Sequence, residues 1–170
     1  MDHDVINYID DTILCDTISR CTPAFHTLLD LLKALGFQLN NDKIVAPSTK
    51  MSCLGIVFDT ENFTMSVPDD KLQEIHNRCK SWQNKTSCTI NELQSLLGSL
   101  LYISKCVKMS RVFLNRMLAV PRKNHGRKNI SLDEEFHKDI QWFIKFMPQF
   151  NGTTFFDPRL IAATVELELG

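Results

Sequence analysis

The sequence predicts an α+β fold: an antiparallel sheet carrying one helix, followed by a helical domain. Two short runs of β-formers flank a pair of adjacent aspartates near the start. The hydrophobic period then switches from strand-like to helical at Pro68, and two capping signatures open helices beyond that point.

Val5-Ile6-Asn7-Tyr8 and Thr12-Ile13-Leu14-Cys15 read as strands around Asp10-Asp11, and an Asp-rich turn between β-formers reads as a hairpin. Thr22-Pro23 predicts a helix start, with Thr as N-cap and Pro at the first helical position. The apolar positions Phe25, Leu28, Leu29, Leu32 and Leu35 keep the helical period until Gly36 ends it. Residues 37–45 read as extended, interrupted by Asn40-Asn41. Residues 51–58 form a short apolar run with Gly55 inside, and residues 63–67 come after it. These pieces predict an antiparallel sheet with one helix packed on it.

Beyond Pro68, Leu72, Ile75, Cys79 and Trp82 form one apolar helical stripe. Thr89-Ile90-Asn91-Glu92 is a capping box that opens a second helix through Leu93, Leu96, Leu97, Leu100 and Leu101. A third helix is expected over residues 110–118, ending near Pro121, with a loop to Asn129. Ser131-Leu132-Asp133-Glu134 reads as another capping box, whose helix passes Trp142 and Phe146 to about Pro148. Residues 153–170 return to strand-like alternation. Boundaries fall near Pro68 and near Pro148.

At 170 residues, 44% hydrophobic and 23% charged, the chain can bury a core as one large domain or two small ones. The net charge of -1 decides nothing about a nucleic-acid partner, but the distribution does more. Residues 93–132 contain no Asp or Glu, while Lys105, Lys108, Arg111, Arg116, Arg122, Lys123, Arg127 and Lys128 fall inside them. Such a stretch can follow a phosphate backbone, or be a solvated cationic face; both readings stand. Six cysteines show no CxxC pair and sit mostly among apolar residues, as reduced core thiols do. His76, Cys79 and Cys88 lack the partner pair that a zinc site requires. No signal peptide or membrane-length apolar run is present, so an intracellular location, cytoplasmic or nuclear, is expected.

Tyr8-Ile9-Asp10-Asp11 is the sharpest chemical feature. Adjacent carboxylates in a tight turn repel unless cations neutralise them, and a hard divalent cation on oxygen ligands does so. A bare Asp-Asp turn is also ordinary solvent-exposed turn chemistry. The Tyr-x-Asp-Asp hairpin is followed by a helix, then Leu35-Gly36-Phe37-x-Leu39-Asn40-x-x-Lys43, then Cys53-Leu54-Gly55-Ile56. In that order and spacing these pieces resemble the consecutive palm motifs of reverse transcriptases, in particular retrotransposon enzymes of the tyrosine-recombinase or Ty3-like type. The resemblance continues through Val67-Pro68-Asp69-Asp70-Lys71-Leu72 and Leu93-Gln94-Ser95-Leu96-Leu97-Gly98-Ser99-Leu100 to Arg111-Val112-Phe113-Leu114, and spans residues 5–155.

The resemblance implies a partial palm over residues 1–67, a helical thumb or connection over 68–148, and the truncated start of a ribonuclease H-like region over 149–170. It implies RNA-directed DNA polymerase chemistry, with an RNA template, a DNA primer, deoxynucleotides and Mg2+, for which Mn2+ can substitute. Asp10 and Asp11 match the catalytic, metal-binding carboxylates, and Tyr8 the aromatic residue beside template-primer and metal. Lys43 matches the lysine that assists pyrophosphate departure as an acid, and it reads equally as a salt-bridging surface lysine. Leu54 and Gly55 match the primer-grip hairpin, where glycine lets the backbone approach the primer terminus. The family carries an aromatic or larger apolar residue where Cys53 stands. Lys105, Lys108, Arg111 and Arg116 are the cations expected to face nucleic acid.

Members of the family also use an aspartate from an earlier palm strand, a fingers domain and a nucleotide-selecting segment, all before the Tyr-x-Asp-Asp hairpin. Only seven residues precede Tyr8. The expectation is therefore part of an active site, in a fragment that extends no primer by itself. Val165-Glu166-Leu167-Glu168-Leu169-Gly170 carries no nuclease aspartate motif, so no nuclease activity is expected. A non-catalytic nucleic-acid-binding module and a protein-contact scaffold stand as the alternatives.

Overall fold

The computed structural model describes residues 4–9, 11–123 and 128–155. The chain is mixed α/β, and its described residues divide into two compact units at the Met51–Ser52 join.

In the first unit, β1 (Asp4–Tyr8) and β2 (Asp11–Cys15) form an antiparallel hairpin in which Val5 faces Leu14 and Tyr8 faces Asp11. This is the hairpin that the flanking β-formers predict. Helix α1 (Ile18–Ala34) begins earlier than the Thr22-Pro23 signal suggests, with Thr17 as its N-cap. The Asp16 carboxylate accepts from the Thr17 amide at 2.7 Å and pairs with Arg20 at 3.5 Å, which nucleates the helix before Pro23. Pro23 consequently lies inside α1, where it can donate no backbone hydrogen bond. The helix ends where expected. Gly36, at φ +85, allows the Phe37 amide to reach the Leu32 carbonyl and the Gly36 amide to reach that of Lys33, both at 3.0 Å. Residues 37–45 are not a strand. Asn40 accepts from the Asp42 amide at 3.1 Å, and this side-chain cap winds Asn41–Lys43 into a 3-10 turn instead.

Beyond it, residues 51–58 are not one run with a glycine inside. They turn at Leu54-Gly55 between β3 (Lys50–Cys53) and β4 (Ile56–Asp59). Together with β5 (Thr64–Ser66) and β8 (Thr154–Phe155) they form a sheet in the order β3-β4-β5-β8. Asn151 holds the chain just past β5: its side chain accepts from the Val67 amide at 2.8 Å and donates to the Val67 carbonyl at 2.9 Å.

Four helices lie beyond β5 in the second unit: α2 (Asp69–Trp82), α3 (Ile90–Ile103), α4 (Arg111–Lys123) and α5 (Glu134–Phe150). Their inward faces supply the core, with Ile75 and Cys79 from α2, Leu93, Leu96 and Leu100 from α3, Leu114 and Met117 from α4, and Ile140, Phe143 and Met147 from α5. Each such side chain contributes about 1.5–3 kcal/mol when fully buried. The α3 stripe passes from Leu100 to buried Ile103, leaving Leu101 exposed, because the period of 3.6 carries Leu101 off the core face. The expected capping box is present: Glu92 accepts from the Thr89 amide at 2.8 Å while Thr89 accepts from the Glu92 amide.

The second expected box is displaced. Ser131 ends β7 (Asn129–Ser131), which pairs with β6 (Ser87–Thr89), so its backbone belongs to a ladder. Asp133 caps α5 instead, accepting from the Phe136 amide at 2.8 Å. Pro121 and Pro148 lie within α4 and α5 and do not end them. Among the described residues no helix is long and apolar enough to cross a membrane.

Candidate active-site turn and nucleic-acid face

The two-residue connection of the β1-β2 hairpin holds residues 9 and 10. Asp10, the first expected metal ligand, lies outside the described residues. Ile9 takes φ +52 and is 86% exposed. A β-branched residue is disfavoured there, so the turn is strained, and it presents an apolar side chain to solvent. Tyr8 and Asp11 flank the turn as a cross-strand pair, both exposed. Among the described residues the Asp11 carboxylate has no hydrogen bond or ion pair, so its oxygens are open to a hard cation. Lys43 stands exposed at the end of the 3-10 turn, its amine likewise without a carboxylate partner among the described residues. Lys43 and Asp11 are therefore not paired with each other. No cluster of three His, Cys, Asp or Glu side chains suited to a metal occurs among the described residues.

In the second unit, the Leu54-Gly55 turn projects from the β3-β4 hairpin, Leu54 at φ +49 and Gly55 at φ +77. Two successive positive φ values are what a tight primed hairpin turn requires. Leu54 is 47% exposed. From α3, the Tyr102 hydroxyl donates to the Gly55 carbonyl. The backbone angle favours glycine, and a Cβ at residue 55 would stand 3.3 Å from that hydroxyl, so the ring would have to give by a few tenths of an ångström. The sequence pattern does not single out Tyr102; the one available signal is an aromatic residue with a polar tip at the edge of a leucine stripe.

Lys105, Lys108 and Arg111 are exposed along the connection from α3 to α4, with no carboxylate partner among the described residues. Arg116 differs. Its guanidinium pairs with Asp139 of α5 and lies 3.4 Å from Glu135, over the Phe113 ring. The side chain is 52% exposed while that of Asp139 is 2% exposed. Burial pushes the Asp139 carboxyl above its ordinary range, and Arg116 opposes that rise. The exposed part of α3 adds Gln94, Ser95 and Gly98, the last with open space around it. His76 hydrogen-bonds through Nε2 to the Ile144 carbonyl at 3.0 Å, and burial pushes the Cys79 thiol up to about 12. Cys79 thus belongs to the core, and half-buried His76 is engaged by a backbone carbonyl.

No protein-family model and no curated protein matches the chain. Among solved structures, the chain is similar to the foamy viral protease-reverse transcriptase in complex with double-stranded DNA, with a TM-score of 0.63 and 18% identity over 85% of this chain and 24% of that one. It is also similar to the foamy viral protease-reverse transcriptase in complex with an RNA/DNA hybrid, with a TM-score of 0.61 and 15% identity over 87% of this chain and 19% of that one. The chain therefore has a reverse-transcriptase-like fold and spans about a quarter or less of the length of these neighbours.

Proposed function

We propose that the chain supplies the carboxylate turn and the thumb-like helices of a reverse transcriptase, and that it holds a DNA primer paired with an RNA template. The observation that carries this reading is the strained hairpin turn with Asp11 open at its exit, in a chain of reverse-transcriptase-like fold. Asp10 and Asp11 fit Mg2+ by their chemistry, since a hard cation selects carboxylate oxygen, and Mn2+ can substitute. Asp10 and Asp11 would hold the ions, which would supply activation of the primer 3′-oxygen and stabilisation of the leaving group.

The remaining roles belong to the chain's own side chains. Tyr8, exposed beside Asp11, offers an aromatic face to the template-primer. Lys43 holds a proton on Nζ for departing pyrophosphate. Leu54 and Gly55 bring backbone close to the primer terminus, and Lys105, Lys108 and Arg111 face phosphates. Arg116, already paired with Asp139, contributes mainly to holding α4 on α5.

Two measurements test the reading. Fluorescence anisotropy on a labelled RNA–DNA primer-template should show binding that weakens steeply with salt. Primer extension should appear when a fingers-and-palm segment and deoxynucleotides are supplied, and be lost in Asp10→Ala. Binding without any reconstituted extension would instead favour the binding-module reading, and no binding at low salt would sink both.

A further inference from the structure

We propose that Tyr102 is a positioning residue that locks the Leu54-Gly55 turn to α3, so that turn and helix hold the primer 3′ end as one piece. The inference rests on the proposed primer-holding role and deepens it. The turn is exposed, and Leu54 occupies a backbone region that L side chains disfavour. A strained, exposed turn keeps one conformation only when its surroundings over-determine it. Among the described residues the Tyr102 hydroxyl makes the one side-chain hydrogen bond to either turn residue, across 47 positions of sequence. The Tyr102 ring also lies alongside the turn, its Cε2 3.6 Å from where a Cβ at residue 55 would stand, which is ordinary van der Waals contact.

The tether also fits the placement of neighbouring groups. Tyr102 lies between exposed Leu101 and exposed Lys105, at the end of α3 from which the cationic connection departs. A turn tied there stays in fixed register with Lys105 and Lys108. Burial raises the Tyr102 hydroxyl above its ordinary range, so it keeps its proton and donates throughout the neutral range.

The test uses the full chain and its Tyr102→Phe variant, which removes the hydroxyl and keeps the ring. Each is titrated onto primer-template duplexes carrying 2-aminopurine at the primer 3′ terminus or, separately, deep in the duplex. Wild type should change the terminal probe's fluorescence. The variant should stay folded and still bind duplex, lose about fivefold of the terminal response, the scale of one neutral hydrogen bond, and leave the internal response unchanged. Faster amide exchange confined to residues 53–56 should accompany that loss. An unchanged terminal response in Tyr102→Phe overturns the proposal while the nucleic-acid reading stands. Wild-type binding with no terminal response overturns it in the same way. Failure of wild type to bind any duplex overturns both.

Discussion

The carboxylate of Asp139, on the buried face of α5, accepts from the guanidinium of Arg116 on α4, whose side chain remains half exposed. The pair ties two helices that also share the Phe113–Trp142 stack at 4.4 Å. Removing the arginine leaves a largely buried carboxylate without its charged partner. Arg116→Ala should therefore destabilise the chain by about 1–3 kcal/mol, less than a fully buried pair because the guanidinium is wetted. Arg116→Ala/Asp139→Asn should recover part of that loss in urea denaturation. No recovery would mean that the cost lies in packing over Phe113.

The same pair makes stability depend on pH. Asp139 is raised in the folded state, first by burial and then against the lowering effect of Arg116. A raised carboxyl stabilises the fold when protonated, so its contribution is complete below the unfolded pKa and is lost as pH rises through the folded one. Without Arg116 that rise is larger. The deficit of Arg116→Ala should thus be greatest at neutral pH and shrink on acidification. A deficit that stays constant with pH would exclude Asp139 as its origin.

Glu92 shifts the other way. Hydrogen bonds from Lys85 and from the Thr89 amide and hydroxyl hold its carboxyl down to about 2. A depressed carboxyl stabilises above its unfolded pKa, and that stabilisation is lost as pH falls through the folded one. A side-chain NMR titration of Glu92 should show a midpoint near 2. In Thr89→Val the midpoint should move towards the ordinary carboxyl range, since the hydroxyl bond is gone.

These groups also mark how far the sequence is legible. The Thr89–Glu92 box and the Leu93–Leu100 stripe are local signals, each written within a few residues, and both lie where the pattern puts them. The hairpin at Asp10-Asp11 is equally local. What escapes is long-range. Ser131 has the side chain of a cap, yet its backbone pairs with Ser87, 44 positions away, and Asp133 takes the cap. Pro23 reads as a helix start, yet Asp16 and Arg20 start the helix earlier. Arg116 looks like its cationic neighbours in sequence, and only the approach of α5 distinguishes it. Tyr102 carries no mark of its tie to Gly55.

Ile9 offers a test of strain at the candidate site. It is β-branched, at φ +52, and 86% exposed, so little burial is lost on replacing it. Ile9→Asn should stabilise the hairpin by about 1 kcal/mol, because asparagine tolerates the left-handed region. Slower amide exchange across β1 and β2 would register the gain. A destabilised hairpin would mean that the Ile9 side chain makes a contact outweighing the backbone cost.

The cations separate by their partners. On duplex DNA each phosphate contact adds about 0.9 to the slope of log binding constant against log salt. Lys105, Lys108 and Arg111 have no carboxylate partner among the described residues, so each is free to displace a counterion. Lys108→Ala should flatten the slope by about 0.9, and the triple alanine variant by about 2–3. Arg116→Gln should flatten it far less, because its charge is matched by Asp139 before nucleic acid arrives. Lys138, paired with Glu134 at 3.1 Å and Glu135 at 2.9 Å, supplies the control that should change nothing. Anisotropy titrations at four salt concentrations would give all five slopes, wild type included. A triple variant with the wild-type slope would remove the α3–α4 connection from the interface. Arg116→Gln flattening the slope as much as Lys108→Ala would mean that the guanidinium leaves Asp139 for a phosphate.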